Sequence, residues 1–598
     1  MSQAFLAGGG MPVTFKDVTY TVKSNRNKKE DVVLLRNVSG YLRPGELAAL
    51  MGPSGSGKST LLDVLSGRKT VGTLAGDIKI AGTVPTRMFL RRFTGYVEQS
   101  ESLLDILTVQ EMLMYTAQLK RPVHESTAEK EAAVNKLIQL LALTTCRDVK
   151  IGSAMERGIS GGQAKRVNIA IAMITSPRIL FMDEPTSGLD SYTANEVMRV
   201  VKNLAGMGIT LVSSIHSPTP FCFNLFDRVL LLLRGSVIYF GPNGKLLSDY
   251  FHTQCPTVPG IREGDNLAEW IVDLTTQADW KGEAEEFAAA FAGSDLKRIA
   301  DAEITEQLQQ SSMLSQQDQK DLAVRRDTVT PFWWGIKTML QYRTAKNYRN
   351  PAWLGPRLGD KVLMSFIIFT LYWKLGDDLS VNNIPNLTSV LFMWTILAGY
   401  GASAYTPTLV LERPLFVRER NDGLYRVITY LCAKMLEELG LALLSSLVFS
   451  NLVFWLLALE GSYLLFWLVY LCSLAIGIVL AYFIAAISPN MDTANAALPA
   501  YVTMLLFFTG LLLRWDDIPK YWRWFSYINF LKYSWGSLMV NQFEGSNDVE
   551  FLDDQTVLEY YSLSGINKWA WLAIEFAFFL AFFFLAFLAL TFVRHVKR

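Results

Sequence analysis

The chain has 598 residues, enough for several domains with buried cores. Hydrophobic residues make up 51% and charged ones only 19%, against about 25% charged in soluble domains, and the net charge is +1. That balance excludes a disordered chain, a disulfide scaffold and an ordinary soluble enzyme, and it speaks against a nucleic-acid binder. The apolar excess points to a membrane.

From Met1 to about Trp280, short β-type runs alternate with helical stretches, the pattern of an α/β domain. Val18 to Val22 reads as a strand, with Tyr20 an aromatic within it. Next, the apolar run Leu47 to Met51 leads into Gly52, Pro53, Ser54, Gly55, Ser56, Gly57, Lys58 and Ser59, and then into the helical stretch Thr60 to Ser66. This is G-x-x-x-x-G-K-[ST] in the strand–loop–helix setting that a phosphate-binding loop requires. Its glycines let backbone N–H groups wrap phosphates, and the helix N-terminus adds its positive end. Lys58 is placed for the β- and γ-phosphates of ATP, and the Ser59 hydroxyl for Mg²⁺.

Further along, Gln99 follows Gly95-Tyr96-Val97-Glu98, and Ile159-Ser160-Gly161-Gly162-Gln163 forms a small-residue loop. Ile179 to Met182 reads as a buried strand ending in Asp183 and Glu184. Such a strand holds Asp183 rigidly toward a Mg²⁺ shell, while Glu184 can orient and polarise an attacking water. Ser187-Gly188-Leu189-Asp190 and Ser213-Ser214-Ile215-His216 follow.

Residues 281–330 turn polar, with a Gln-rich stretch from Gln307 to Asp321, and read as a connector. Residues 331–350 mix Phe332, Trp333, Trp334, Tyr342 and Tyr348 with basic side chains, as an interfacial helix does. Beyond them, Leu379–Leu411, Leu439–Leu459, Gly461–Met491 and Thr493–Leu513 contain no Asp, Glu, Lys or Arg, and Trp569–Val593 contains only Glu575. With the shorter Val362–Trp373, flanked by Lys361 and Lys374, six spans are expected.

Basic residues precede the first span, follow the second (Arg413, Arg418, Arg420, Arg426) and end the chain, which suits cytoplasmic placement of both termini. The cations between the fifth and sixth spans run against that rule, but an even span count keeps both termini on one side. Met1 to Gly10 has no signal-peptide pattern. The five cysteines lack zinc-ligand spacing, and the sequon at Asn386 lies too close to the membrane for glycosylation to be expected.

Together these motifs resemble those of ATP-binding cassette (ABC) proteins. Ile159 to Gln163 resembles their signature loop, Gln99 their Q-loop, Ser187 to Asp190 their D-loop and His216 their switch histidine. A nucleotide domain preceding six spans is similar to the G subfamily of half-transporters, the White-type group. Glu412 to Glu419 resembles that group's cytosolic loop, Asp517 to Trp524 and Asn541-Gln542-Phe543 its external re-entrant segment, and Gly264 to Trp270, loosely, an Asn-Pro-Ala-Asp-Phe-like motif. Two departures are Gln163, where many members have Glu, and the absence of external cysteines, which removes the expectation of a disulfide-linked dimer.

The resemblance implies an α/β P-loop nucleotide-binding domain (1–280), the connector (281–330), the interfacial helix (331–350) and an all-α six-helix ABC-2-type membrane domain (351–598) with an external re-entrant region at about 514–566. It implies Glu184, His216 and Gln99 as catalytic residues, Gly52 to Thr60 for ATP, Tyr20 as a ring for stacking on adenine, where an ordinary strand aromatic fits equally, and Ser59, Gln99 and Asp183 around Mg²⁺. Ser160, Gly161, Gly162, Gln163 and Asp190 would serve the ATP of a second subunit, since a signature loop that completes the opposite site cannot complete its own. A dimer follows, of two copies or with a related half-transporter. By position Tyr400, Phe508, Leu511 and Leu512 resemble cavity or gate residues, but ordinary helix packing is the favoured reading for each. The implied activity is ATP-driven export or flopping of an apolar or amphipathic molecule such as a lipid, sterol or xenobiotic by alternating access, across the plasma membrane or an organelle membrane. The alternative is an ATP-gated channel or regulatory subunit that does not pump.

Overall fold

The computed structural model describes residues 9–24, 30–100, 102–153, 156–255, 258, 260–261, 265–310, 316–324, 328–545, 550–552 and 555–593. It divides into two units, which among the described residues are those up to Trp334 together with Arg418–Tyr425, and Gly335–Val417 together with Arg426 to Val593.

The first unit holds β1 (Val13–Lys23), β2 (Asp31–Leu42), β3 (Leu47–Met51), β4 (Thr73–Ile80), β5 (Thr94–Val97), β6 (Ile179–Met182), β7 (Thr210–Ser214), β8 (Arg228–Leu233) and β9 (Ser236–Pro242). β2, β1 and β4 make an antiparallel sheet, and β5-β6-β7-β3-β8-β9 a second sheet that is parallel except for the β8–β9 hairpin. β3, β5, β6 and β7 are buried at every residue, as strands covered by helices on both faces must be. Their parallel run brings Met51, Val97, Met182 and Ser214 to one edge of the sheet, so the loops that follow them share that edge.

The helices of this unit are α1 (Lys58–Leu65), α2 (Arg87–Phe93), α3 (Val109–Lys120), α4 (Thr127–Leu140), α5 (Gly161–Met173), α6 (Ser191–Gly206), α7 (Pro220–Asn224), α8 (Lys245–Gln254), α9 (Leu267–Lys281), α10 (Ala284–Ala292), α11 (Asp295–Gln310) and α12 (Gln316–Leu322). The polar stretch from 281 to 330 is thus helical over much of its length. Phe287, Phe291, Ala300 and Ile304 are buried, Glu303 accepts from Arg43, and Arg178 donates to Asp318 and Asp321, each at 2.9 Å. Gly264, in the loosely matched Gly264 to Trp270 motif, lies outside the described residues.

The second unit is helical: α13 (Phe332–Met339, entering it at Gly335), α14 (Ala345–Asn347), α15 (Pro351–Leu371), α16 (Ile384–Tyr400), α17 (Thr406–Asn421, leaving it at Arg418), α18 (Val427–Leu456), α19 (Tyr463–Ile487), α20 (Met491–Leu506), α21 (Arg523–Tyr527), α22 (Phe530–Phe543), α23 (Val557–Tyr560) and α24 (Lys568–Phe592). A π-helical turn at Leu340–Thr344 joins α13 to α14, and a small hairpin, β10 (Glu550–Leu552) with β11 (Gln555–Thr556), precedes α23.

Among the described residues, four helical runs are long and apolar enough to cross a membrane: Ile384–Asn421, α18, α19 and α24. α15 and α20 occupy the places of the expected first and fifth spans. α15 carries Arg357, Asp360 and Lys361 in its length, and α20 stops after 16 residues. The charge-free run Thr493–Leu513 therefore continues past its helix. At Gly510 the backbone turns with φ +109, and a Cβ there would sit 2.5 Å from the Trp515 indole nitrogen, so only glycine fits the turn. The segment resembling a cytosolic loop, Glu412 to Glu419, is helical within α17. Arg594 to Arg598 lie outside the described residues.

Candidate active site

The loop after β3 needs glycines for two reasons. Gly52, Gly55 and Gly57 have φ of +143, +82 and +103, and a Cβ on Gly52 would meet the Leu232 carbonyl oxygen at 2.1 Å. Lys58 is buried and donates to the carbonyls of Gly52 and Pro53, both at 2.9 Å. Burial pulls its ammonium below the ordinary lysine value, with the Glu184 and Asp183 carboxylates opposing. The hydroxyl of Ser56 is buried without a hydrogen-bond partner, Ser54, Gly55 and Ser59 are exposed, and Thr60 is half-buried on α1. A cradle of backbone amides with an orphaned hydroxyl and a central ammonium fits a polyphosphate.

Ser59 Oγ donates to Asp183 Oδ1 at 2.9 Å, and Ser214 Oγ donates to the same oxygen at 2.7 Å. A hydroxyl and a carboxylate in contact form a hard-oxygen donor pair that suits Mg²⁺. Glu184 has φ +45, and its amide N–H donates to Ser214 Oγ at 2.9 Å. That left-handed residue directs the carboxylate to Gln99, whose Nε2 donates to Glu184 Oε2 at 2.8 Å. Lys165, buried on α5, donates to the Gln99 carbonyl and fixes that loop from behind. His216 Nδ1 lies 3.2 Å from Ser217 Oγ, and the ring lines a pocket of about 260 Å³ with Glu184, Thr186, Ser187 and Ser191.

A second cluster forms beside α5 and α6. Ser160 caps α5: its Oγ accepts from the Gln163 amide at 3.3 Å while Gln163 Oε1 accepts from the Ser160 amide at 2.9 Å. Gln163, the departure noted above, closes that reciprocal box as Glu would. Asp190 caps α6, accepting from Thr193 N at 3.0 Å and Thr193 Oγ1 at 2.6 Å, and these bonds hold its carboxyl below the ordinary value. Gly162 lets the helices meet: a Cβ there would sit 2.0 Å from Thr193 Cγ2. Ser160, Gly161, Ser187, Gly188, Asp190 and Tyr192 are exposed.

Tyr20 corrects one expectation. It is 3% exposed, paired on both sides within β1, and its hydroxyl donates to the Val71 carbonyl, so no ring face is free for adenine. Of the membrane positions, Phe508, Leu511 and Leu512 fall beyond the end of α20. Phe508 packs on Trp522 and Phe525 at ring distances of 5.4 and 4.8 Å, Leu511 is partly buried, and Leu512 is exposed. Tyr400 ends α16, and its side chain lies outside the described residues. Sequence reasoning missed Ser214 and Lys165. A hydroxyl at the end of a buried strand beside two acids was the available signal for Ser214, and Lys165 had none.

The ABC transporter family model matches residues 35–187, and the ABC-2 type transporter model matches residues 335–543. Pleiotropic drug resistance protein 1 of Nicotiana tabacum is 32% identical over 92% of this chain, which covers 39% of that protein. ABC transporter G family member 6 of Arabidopsis thaliana is 30% identical over 89% of this chain, which covers 78% of that relative. The chain belongs to the ABC transporter G family. It spans about two fifths of the length of the relatives it matches first. The dimeric structure of the bacterial ABC transporter cassette MJ0796 is 29% identical over 39% of the chain, with a TM-score of 0.34. In this G-family chain the nucleotide cassette is an ATP-binding domain, and the unit after it is a membrane domain with several apolar helices.

Proposed function

We propose that this chain is an ATP-driven primary transporter that acts as a dimer and exports or flops an apolar or amphipathic molecule. The observation that carries the reading is the contact of Gln99 with Glu184, beside the Ser59–Asp183–Ser214 set, in a chain whose described residues include four helical runs of membrane-crossing length. Lys58 would neutralise the phosphates, and Ser59 and Asp183, with Gln99 beside them, would hold Mg²⁺. That ion would offset negative charge on the phosphate oxygens. Glu184 would take a proton from the attacking water, and His216, across the pocket, would grip the γ-phosphate.

Exposed Ser160, Gly161, Gly188 and Asp190 support dimerisation: Ser160 and Asp190 cap their own helices yet stand at the surface, where a second subunit's ATP could reach them. Each subunit would lend them to the other's ATP. The scarcity of charge on α16, α19 and α24 supports an apolar cargo. Basic segments support cytoplasmic placement of both termini of a multi-pass protein.

Reconstituted vesicles test this reading. A transporter accumulates a fluorescent lipid or amphipathic dye against its gradient when ATP is added outside, and Glu184→Gln abolishes accumulation while retaining ATP binding. Flux that only dissipates a gradient would identify a nucleotide-gated channel instead.

A further inference from the structure

Glu575 is the one acidic residue of α24, and it is 0% exposed. Its Oε1 lies 2.6 Å from Ser473 Oγ on α19 and 2.7 Å from Ser534 Oγ on α22, and its Oε2 is buried without a hydrogen-bond partner. The two hydroxyls lie 3.0 Å apart, and Ser534 Oγ is also 3.1 Å from the Phe530 carbonyl oxygen. Close helix approach makes the cluster possible: a Cβ on Gly536 of α22 would meet the Trp571 ring of α24 at 2.2 Å.

Counting protons distinguishes two arrangements. If the carboxyl is ionised, both serines point at Oε1, Oε2 is a bare anionic oxygen, and the Phe530 carbonyl loses its hydroxyl partner. If it is neutral with the proton on Oε1, every hydroxyl has an acceptor: Glu575 donates to Ser473, Ser473 to Ser534, and Ser534 to Phe530. Oε2 is then a carbonyl oxygen, which tolerates burial without a partner far better than a carboxylate oxygen does.

No cation among the described residues is in ion-pair reach. On the packed elements, the titratable groups nearest the cluster in sequence are Cys472 on α19, Lys532 and Tyr533 on α22, and Lys568 on α24 itself. Lys532 lies over the Trp515 and Tyr527 rings at 4.5 and 4.6 Å, Tyr533 donates to the Tyr527 carbonyl at 3.0 Å, and Lys568 pairs with Glu544. On α18, which also packs against α24, Lys434 pairs with Glu412 and Glu437, and Glu438 with Arg357.

We propose that Glu575, Ser473 and Ser534 form a proton-binding site inside the membrane domain, occupied in the folded protein, that ties α19, α22 and α24 together through a neutral hydroxyl chain. The ligand is a single proton on Glu575 Oε1, and no step of ATP hydrolysis uses it.

Infrared difference spectroscopy on the full-length protein in lipid nanodiscs at neutral pH tests the proposal. Wild type minus Glu575→Gln is expected to show loss of one un-ionised carboxylic acid C=O band, shifted in D₂O. Loss of a carboxylate band pair instead overturns the proposal. Glu575→Gln, an isostere of the neutral acid, is expected to keep the wild-type unfolding midpoint. Should that variant fail to fold, the charge itself was required and the proposal falls on that result too. Ser473→Ala removes the acceptor and is expected to shift the same band to higher frequency; an unshifted carboxylic region in folded Ser473→Ala overturns it independently.

Discussion

Arg68, three residues beyond α1, forms an ion pair with Asp422, 354 positions later in the chain. The same guanidinium reaches Glu98 at 3.4 Å and lies 4.2 Å over the Tyr96 ring, while Lys120 approaches Asp422 at 4.0 Å. Tyr96 in turn donates to Asp63 of α1 at 2.9 Å. The helix behind the phosphate-binding loop, the strand before Gln99 and the segment Arg418–Tyr425 therefore share one buried charge network.

Asp422→Asn is expected to destabilise the nucleotide unit by about 3–5 kcal/mol, since it leaves two buried cations short of their carboxylate. Burial alone would raise the Asp422 carboxyl, but Arg68, Lys120 and Arg418 outweigh it and hold it below its ordinary value of 3.8. A depressed carboxyl pKa stabilises the fold above the unfolded value, and the contribution is lost as pH falls below about 4. The gap in unfolding midpoint between wild type and Asp422→Asn should stay constant from neutral pH to about pH 5 and close in stronger acid. A gap that closes at alkaline pH would reverse the assignment.

Ser214 supports both acids of the site from one hydroxyl, at Asp183 Oδ1 and at the Glu184 amide. Ser214→Ala leaves that amide unpaired, at about 1–3 kcal/mol, and frees Asp183 to swing. ATP turnover is expected to fall, with a higher Mg²⁺ concentration needed for half-maximal rate. Unchanged Mg²⁺ dependence would show that Ser59 alone positions Asp183.

The phosphate-binding loop was legible in the sequence because its requirements are local: glycine dihedrals, a lysine and a hydroxyl lie within eight consecutive residues. Asp183 and Glu184 were legible as acids at a strand end, but the positive φ that points Glu184 to Gln99 is set by β7 through Ser214, which propensity does not encode. The Arg68–Asp422 pair was not legible at all, because no pattern links positions so far apart. Charge-free runs located the membrane helices but overran α20, since a run of apolar letters does not reveal the turn at Gly510. Tyr20 could be read two ways until its neighbours in the sheet were known.

The α5 cap separates hydrogen bonding from charge. Ser160→Ala removes one of its two reciprocal bonds and is expected to cost about 0.5–2 kcal/mol. Gln163→Glu keeps both bonds and should match wild type in unfolding midpoint, because the box needs an acceptor at that position and not a particular charge.

Gly162 and Thr193 make a paired prediction. Gly162→Ala drives a methyl against Thr193 Cγ2 on a stiff β-branched side chain whose Oγ1 is held by Asp190. ATPase activity and stability should both drop. Thr193→Ser in that background removes the clashing methyl and keeps the bond to Asp190, so it should restore most of the loss. Rescue by Thr193→Ser but not by an unrelated α6 substitution would confirm that helix spacing is the defect.

In the membrane unit, Arg357 of α15 grips Glu438 of α18 with two bonds, at 2.9 and 2.7 Å, beneath the Trp353 ring at 3.8 Å, and Thr408 Oγ1 accepts at 3.1 Å. Both side chains are buried, so the attraction is offset by the desolvation of two ions. Glu438→Ala strands the guanidinium and should destabilise the unit by about 3–5 kcal/mol. Replacing both partners together, Arg357→Met with Glu438→Leu, removes the stranded charge and fills the space. The double variant should survive heating in detergent much better than Glu438→Ala. If it fares no better, the helices depend on the ion pair itself rather than on the absence of an unpaired charge.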